Sequence, residues 1–181
     1  MSVLDQALPA FKYHPDPLAT GSIVPSDASC ACCGQVRGHI YVASFYAKTS
    51  YRRRICPWCI ADGSAAQTLR GSFVDDYPLM QAGLPAAVVN EVCTRTPGFI
   101  SWQQERWLTC CGDACEFHGD ARKEELEALD ETCLPKALRD FEHILPHWSK
   151  VVGAYRPGSD PAIYKFVCRR CRETRFGVDS S

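Results

Sequence analysis

"SCACCGQ", Ser29 to Gln35, sets three cysteines within four positions, and "ICPWC", Ile55 to Cys59, follows it with a further pair. Read together they are two CxxC turns, Cys30-x-x-Cys33-Gly34 and Cys56-Pro57-Trp58-Cys59, separated by enough chain to form a hairpin. A two-residue gap lets both sulfurs of a pair reach one cation at Zn–S distances of ~2.3 Å, and two pairs complete a tetrahedron. Gly34 lets the backbone turn back so that amides face the sulfurs. The expectation is a structural zinc held by Cys30, Cys33, Cys56 and Cys59. Cys32 is then a spare, bystander thiol.

The metal reading depends on compartment. The chain has 181 residues, and 46% of them are hydrophobic, enough to bury a real core and too many for a disordered or collagen-like chain. Twenty basic residues nearly balance 21 acidic ones, which gives no global attraction to nucleic acid or to an anionic membrane. "MSVLDQALPAFKYHPDP" lacks the charged and apolar regions of a secretory leader, and no apolar run approaches the roughly eighteen residues a transmembrane helix needs. A cytoplasmic protein with no membrane contact is expected. In a reducing cytosol, 12 regularly spaced cysteines point to metal sites or redox centres before disulfides.

The order of elements reads as an α+β fold of small zinc-ribbon-like β-hairpin knuckles packed with several short helices. One domain is expected over 1–181, with an extended arm to about residue 20, a first four-cysteine knuckle over about 28–62, and a helical middle with a second four-cysteine site over about 84–175. Pro9, Pro15 and Pro17 keep the arm out of helix, and Phe11 and Tyr13 give it aromatics to drape over the body. "GHIYVASFYA", Gly38 to Ala47, carries the β-branched and aromatic residues of strands. "LPAAVVNEVCTR", Leu84 to Arg95, spaces Val88, Val89, Val92 and Cys93 as a helix does. In "WQQERW", Trp102 and Trp107 are both expected in the core. Asp120 is expected to cap a helix striped by Leu126, Leu129 and Cys133, and Pro135 to open another with Leu138, Phe141 and Leu145 inward. The stretch from Ala162 reads as strand, Cys turn, strand.

That last turn is Cys168-Arg-Arg-Cys171, a CxxC pair with no neighbour of its own. Its natural complement is the cluster "TCCGDACEFHG", Thr109 to Gly119. The expected second zinc site is Cys111, Cys115, Cys168 and Cys171. Cys110 and His118 remain open as replacements, since imidazole and a neighbouring thiolate also bind zinc. Cys93 and Cys133, on apolar stripes, read as core.

The rival reading is redox chemistry, because CPWC resembles the active-site turn of glutaredoxin-like proteins. Here it follows another CxxC, and "ADGSAA" is a weak helix opening. A catalytic zinc keeps one position open for water, whereas two sites of four cysteines are closed. Asp62 and Asp113 lie close to cysteines, but a turn Asp more often holds its own backbone. No GxSxG, P-loop or dinucleotide fingerprint occurs.

Over nearly its whole length the sequence resembles the CbrC family, small bacterial proteins named for a tolerance protein for colicin E2. The resemblance is carried by "FKYHPDPLATGSI", "CACCG", "CPWCIADGSAA", "FVDDY", "RTPGFISWQQERWLTCCGDACEF" and "FVCRRC". It implies cysteine ligands at Cys30, Cys33, Cys56, Cys59, Cys111, Cys115, Cys168 and Cys171, and a tolerance phenotype toward a nuclease colicin without a mechanism.

Three functions compete. The first is a non-enzymatic, immunity-like zinc protein that binds a protein partner such as a toxin. The second is a zinc-ribbon nucleic-acid-binding protein, motivated by the basic runs "YRRR" (Tyr51 to Arg54) and "CRRCRETR" (Cys168 to Arg175) and opposed by the overall charge balance. The third is a thiol-redox or metal-dependent enzyme.

Overall fold

A computed structural model describes residues 7–181. The chain is mixed α and β, built from small antiparallel sheets and short helices. The first six residues of the expected arm lie outside the described residues. From Ala7 onward the arm is tied down by its aromatics: Phe11 and Tyr13 are buried.

Strands β1 (Ile23–Pro25) and β2 (His39–Tyr41) pair antiparallel, with Val24 opposite Ile40, and their loop carries the first cysteine cluster. Of the one or two strands expected within Gly38 to Ala47, β2 forms and stops at Tyr41, and Tyr46 rejoins the backbone network through an isolated bridge to Ser72. Tyr41 also bonds to Ile55, its amide donating to the Ile55 carbonyl at 2.8 Å, which delivers Cys56 next to β2. Helix α1 (Pro57–Ala61) starts there, with Pro57 supplying the fixed φ of a first helical turn. Helices α2 (Ser64–Leu69), α3 (Tyr77–Gln81) and α4 (Ala86–Arg95) follow. Helix α4 buries Val92 and Cys93, the face its apolar spacing predicts.

The chain then passes so close to Phe73 that only a glycine fits: a Cβ on Gly98 would stand 2.4 Å from the Phe73 carbonyl oxygen. This approach inserts Phe99 into the centre of the molecule. There it stacks on Phe117 with ring centroids 4.1 Å apart, surrounded by Trp107, Tyr164 and Phe166. Trp107 is buried as expected. Trp102 is not, at 54% exposed, because its amide is held at the surface by Asp179 Oδ2 at 2.6 Å.

Strands β3 (Thr109–Cys110) and β4 (Asp113–Ala114) form a minimal hairpin. Strand β5 (Glu116–Asp120) joins β6 (Ala162–Val167) and β7 (Thr174–Asp179) in a three-stranded antiparallel sheet with β6 central, and the strand, Cys turn, strand reading of the C-terminal stretch is what forms.

The two helices expected between β5 and β6 are shorter and broken. Asp120 ends β5 and does not cap a helix; α5 spans only Lys123–Glu127, its first turn capped by Glu125, which accepts from the Arg122 amide at 3.0 Å. Leu126 is buried, but Cys133 is exposed, since the stripe ends before reaching it. Helix α6 (Leu134–Ala137) leads into a 3-10 segment, Arg139–His147, kinked at Phe141 and containing Pro146, and then into α7 (Trp148–Ala154). These pieces cover a smaller core of Leu126, Leu138, Trp148, Tyr155, Ile163 and Phe176. Among the described residues, no helix is long and apolar enough to cross a membrane.

Candidate metal centres

Cys30 lies at the head of a tight turn. Its amide donates to the Gln35 carbonyl at 2.9 Å, and the Gly34 amide donates back to the Cys30 carbonyl at 2.8 Å. Gly34 has φ +71, the left-handed conformation the turn requires. The amides of Cys32 and Cys56 both point at Cys30 Sγ, at 3.4 and 3.3 Å. The second pair enters from the start of α1, where Cys56 precedes the first helical residue and Cys59 lies within the helix. The sulfurs of Cys30, Cys33, Cys56 and Cys59 all fall within 4.8 Å of one another. This cluster joins a knuckle to a helix start; it is not two hairpin knuckles, as a zinc ribbon would have.

The thiols of this cluster are strongly coupled. The hydrogen bond from Cys56 takes the Cys30 thiol down to about 4, with burial opposing and the amides of Cys33, Cys56 and Cys32 assisting. Cys56, the donor of that bond, is pushed up by it and by burial. Burial pushes Cys59 up to about 12. Cys32 stands outside the four, its sulfur 3.6 Å from Ser64 Oγ.

The second cluster repeats the turn. The Cys168 amide donates to the Glu173 carbonyl at 2.8 Å, the Arg172 amide donates to the Cys168 carbonyl at 3.0 Å, and Arg172 has φ +60. The amides of Arg170 and Cys171 approach Cys168 Sγ at 3.4 and 3.5 Å. Thus Cys30 through Gly34 and Cys168 through Arg172 are the same backbone device. Its partners come from the tip of the β3–β4 hairpin, where Cys111 (φ +54) and Gly112 (φ +70) form a two-residue turn of the mirror-image type that hairpins prefer. The sulfurs gathered within 4.8 Å are those of Cys110, Cys111, Cys168 and Cys171.

Cys115 is therefore not in the cluster, and Cys110 takes the place expected for it. The reason is the hairpin ladder. Cys110 pairs with Asp113 beside the tip, whereas the Cys115 amide bonds to the Leu108 carbonyl at 2.9 Å, one step past the Thr109–Ala114 rung and on the core side. There the Cys115 carbonyl accepts the Trp107 indole N–H at 2.9 Å, and burial pushes its thiol up to about 12. His118 is also outside, its Nε2 3.4 Å from Glu116 Oε2. Burial raises the Cys110 thiol. At Cys168 burial is outweighed by the amides of Cys171 and Arg170 and by the neighbouring thiols, which bring it down to about 7.

Both donor sets fit a tetrahedral thiophilic cation. Four sulfurs at ~2.3 Å from a central zinc stand ~3.8 Å apart. The contacts seen are 3.9 Å for Cys33 to Cys56, 3.7 Å for Cys110 to Cys111 and 3.8 Å for Cys110 to Cys171. The clusters differ in exposure: Cys30, Cys56 and Cys59 are buried in the first, and only Cys168 in the second.

Asp62 and Asp113, the carboxylates the sequence raised as bases, are engaged in structure. Asp62 Oδ1 accepts the Ser64 amide at 2.8 Å, and Asp113 Oδ1 accepts the Ala114 amide at 2.9 Å and the Tyr13 hydroxyl at 2.7 Å. The CPWC turn does open a helix, contrary to the sequence reading, but one of only five residues.

The family profile described as "Uncharacterised protein family (UPF0167)" matches residues 8–180. The chain is 50% identical over 177 residues to UPF0167 protein PA1536 of Pseudomonas aeruginosa, spanning 97% of this chain and 99% of that protein. It is 46% identical over 126 residues to UPF0167 protein Mb2317 of Mycobacterium bovis, spanning 70% of this chain and 67% of that protein. UPF0167 protein MT2352 of Mycobacterium tuberculosis matches to the same extent. No solved structure matches. These findings overturn the CbrC assignment: neither the family description nor these relatives' names refer to CbrC or to colicin tolerance, and the phenotype attached to that resemblance falls with it. By a match over nearly its full length, the chain belongs to the uncharacterised UPF0167 family.

Proposed function

We propose that this protein is a zinc-stabilised, non-enzymatic binding protein that holds two zinc ions, one in each four-cysteine cluster, and works by presenting the surfaces those clusters hold in shape. The observation that carries the reading is the duplicated turn: at Cys30 and at Cys168 two backbone amides aim at the leading sulfur, with three further sulfurs within 4.8 Å. Amide donors to a sulfur favour its thiolate, the form that binds metal.

Zinc in these sites would be structural. It would link the β1–β2 loop to α1 in the first and the β3–β4 hairpin to the β6–β7 turn in the second, so the free energy of binding would be folding free energy. Four sulfurs fill the coordination sphere, and Asp62 and Asp113, the carboxylates weighed as bases, hold backbone amides, which favours binding over catalysis.

Elemental analysis of protein purified without added chelator tests the reading. About two zinc ions per chain are expected. A well-folded, metal-free protein made with an intact metal supply would refute it.

A further inference from the structure

The two arginine runs of the sequence meet different fates. The C-terminal run is largely consumed within the fold. Arg169 pairs with Glu116 at 3.4 Å and Asp113 at 3.9 Å, Arg172 pairs with Glu116 at 3.3 Å, and the buried Arg175 pairs with Asp140 at 3.6 Å and with the Thr109 carbonyl. The first run has no such partners. Arg52, Arg53 and Arg54 are exposed, and Arg37 beside them is half-buried. Among the described residues, no carboxylate pairs with any of these four.

Arg37 and Arg54 both touch the first cysteine cluster, and Arg52 and Arg53 lie on the turn that leads into it. Arg54 is pinned to the knuckle, its carbonyl accepting the Ala31 amide at 2.6 Å and its Nε donating to the Ser29 carbonyl at 3.3 Å. Arg37 lies over the Trp58 ring of the CPWC turn, 5.5 Å from the centroid. The turn from Tyr51 to Arg54, closed by a 3.0 Å bond between its ends and with Arg53 at φ +56, lifts Arg52 and Arg53 outward. Arg52 also lines a groove of about 470 Å³, together with Phe45, Tyr46 and Tyr51. Guanidinium groups without carboxylate partners, close to aromatic side chains, are the combination that tracks a phosphodiester backbone while stacking its unpaired bases.

We infer that this face, Arg37 and Arg52 to Arg54 with the groove under Tyr51, is a binding surface for single-stranded nucleic acid. The inference goes beyond the zinc reading and leans on it only because the knuckle holds Ser29 and Ala31, and through them Arg54, in place. Guanidinium groups supply charge for the phosphates, and the half-buried Tyr51 and the exposed Tyr46, both lining the groove, offer aromatic faces for bases. A duplex keeps its bases stacked inside and cannot use the groove.

The test is fluorescence anisotropy of the full-length, zinc-loaded chain with labelled single-stranded oligo(dT) and oligo(U), a duplex of equal length, and phosphatidylglycerol vesicles, at low salt. Binding to one or both single strands is expected, with the two arms separating DNA from RNA, and with affinity falling as salt rises. The double variant Arg52→Glu, Arg53→Asn, in which asparagine tolerates the left-handed backbone, is expected to weaken binding by about tenfold or more and to flatten the salt dependence. Tyr51→Ala is expected to weaken binding, and Arg156→Glu, at an exposed arginine elsewhere, to leave it unchanged. The inference is overturned by no single-strand binding at low salt, by equal binding of duplex, by vesicle binding alone, or by variants that bind as wild type. Zinc content measured on the same samples keeps the two ideas apart: a chain with both zincs that binds no strand sinks this surface and spares the metal sites.

Discussion

The Tyr13 hydroxyl donates a 2.7 Å hydrogen bond to Asp113 Oδ1, joining the N-terminal arm to the hairpin that carries Cys110 and Cys111. Both side chains are buried, and Arg169 lies over the Tyr13 ring at 5.5 Å while approaching the same carboxylate. Tyr13→Phe keeps the ring and removes the donor from a buried, charged acceptor, so a loss of about 1–2 kcal/mol is expected. Urea denaturation checks it, and an unchanged midpoint would show that the arm contributes no more than its apolar contacts.

The ladder that turns Cys115 inward separates it from the proposed ligands. Cys110→Ala is expected to lower the zinc content from about two to about one per chain. Cys115→Ala is expected to retain both ions and to lose only the packing of a small buried side chain. Zinc determination on the two purified variants decides it; the opposite pattern would return Cys115 to the ligand set.

With three buried sulfurs in the first cluster and one in the second, the zincs are expected to leave in order. A chelator should take the ion held by Cys110, Cys111, Cys168 and Cys171 first, because solvent access controls ligand exchange. A colorimetric release assay should show two phases, and Cys110→Ala should abolish the faster one. A single phase would contradict the ordering.

His14 is fully buried, with Nδ1 2.8 Å from the Pro97 carbonyl and Nε2 2.6 Å from Thr20 Oγ1. Burial lowers its pKa from 6.5 to about 4, outweighing the Pro97 hydrogen bond and the Asp16 charge. The unfolded chain therefore takes up the proton first as pH falls. Stability from this group is fully present above about pH 6.5 and is lost toward pH 4, by up to about 3 kcal/mol. Denaturation midpoints of wild type and His14→Asn, compared at matched pH so that metal release cancels, should converge as pH falls through this window. A constant difference would refute the assignment.

Gly98→Ala places a methyl group against backbone, since its Cβ would stand 2.4 Å from the Phe73 carbonyl oxygen and 2.9 Å from Tyr41 Oη. Neither neighbour is a flexible chain end, so a loss of about 1–3 kcal/mol is expected from overpacking. Thermal denaturation should register it as a lowered midpoint.

Much of this molecule is legible in local sequence because its main device is local. A CxxC followed by a residue able to take positive φ makes the same turn at Cys30 and at Cys168, and the backbone bonds that close it stay within six residues. The β-branched and aromatic content of "AIYKFV" and the helical spacing in α4 are local too, and both elements form where expected. The helices after Asp120 depart from expectation because propensity is overridden: Asp120 joins a sheet, and Pro146 with the kink at Phe141 cuts the rest into short turns.

Non-local geometry made the remaining choices. Whether Cys110 or Cys115 faces the C-terminal knuckle depends on the register of a two-residue hairpin, which sets Cys110 beside the tip and Cys115 two rungs further in, against the core, and composition is blind to that placement. The arginine runs look alike as text, yet one folds back onto Glu116 and Asp140 while the other stands clear of every described carboxylate. Spacing along the chain decides which atoms can turn toward a cation, and only packing between distant segments decides which charges are left for something else to meet.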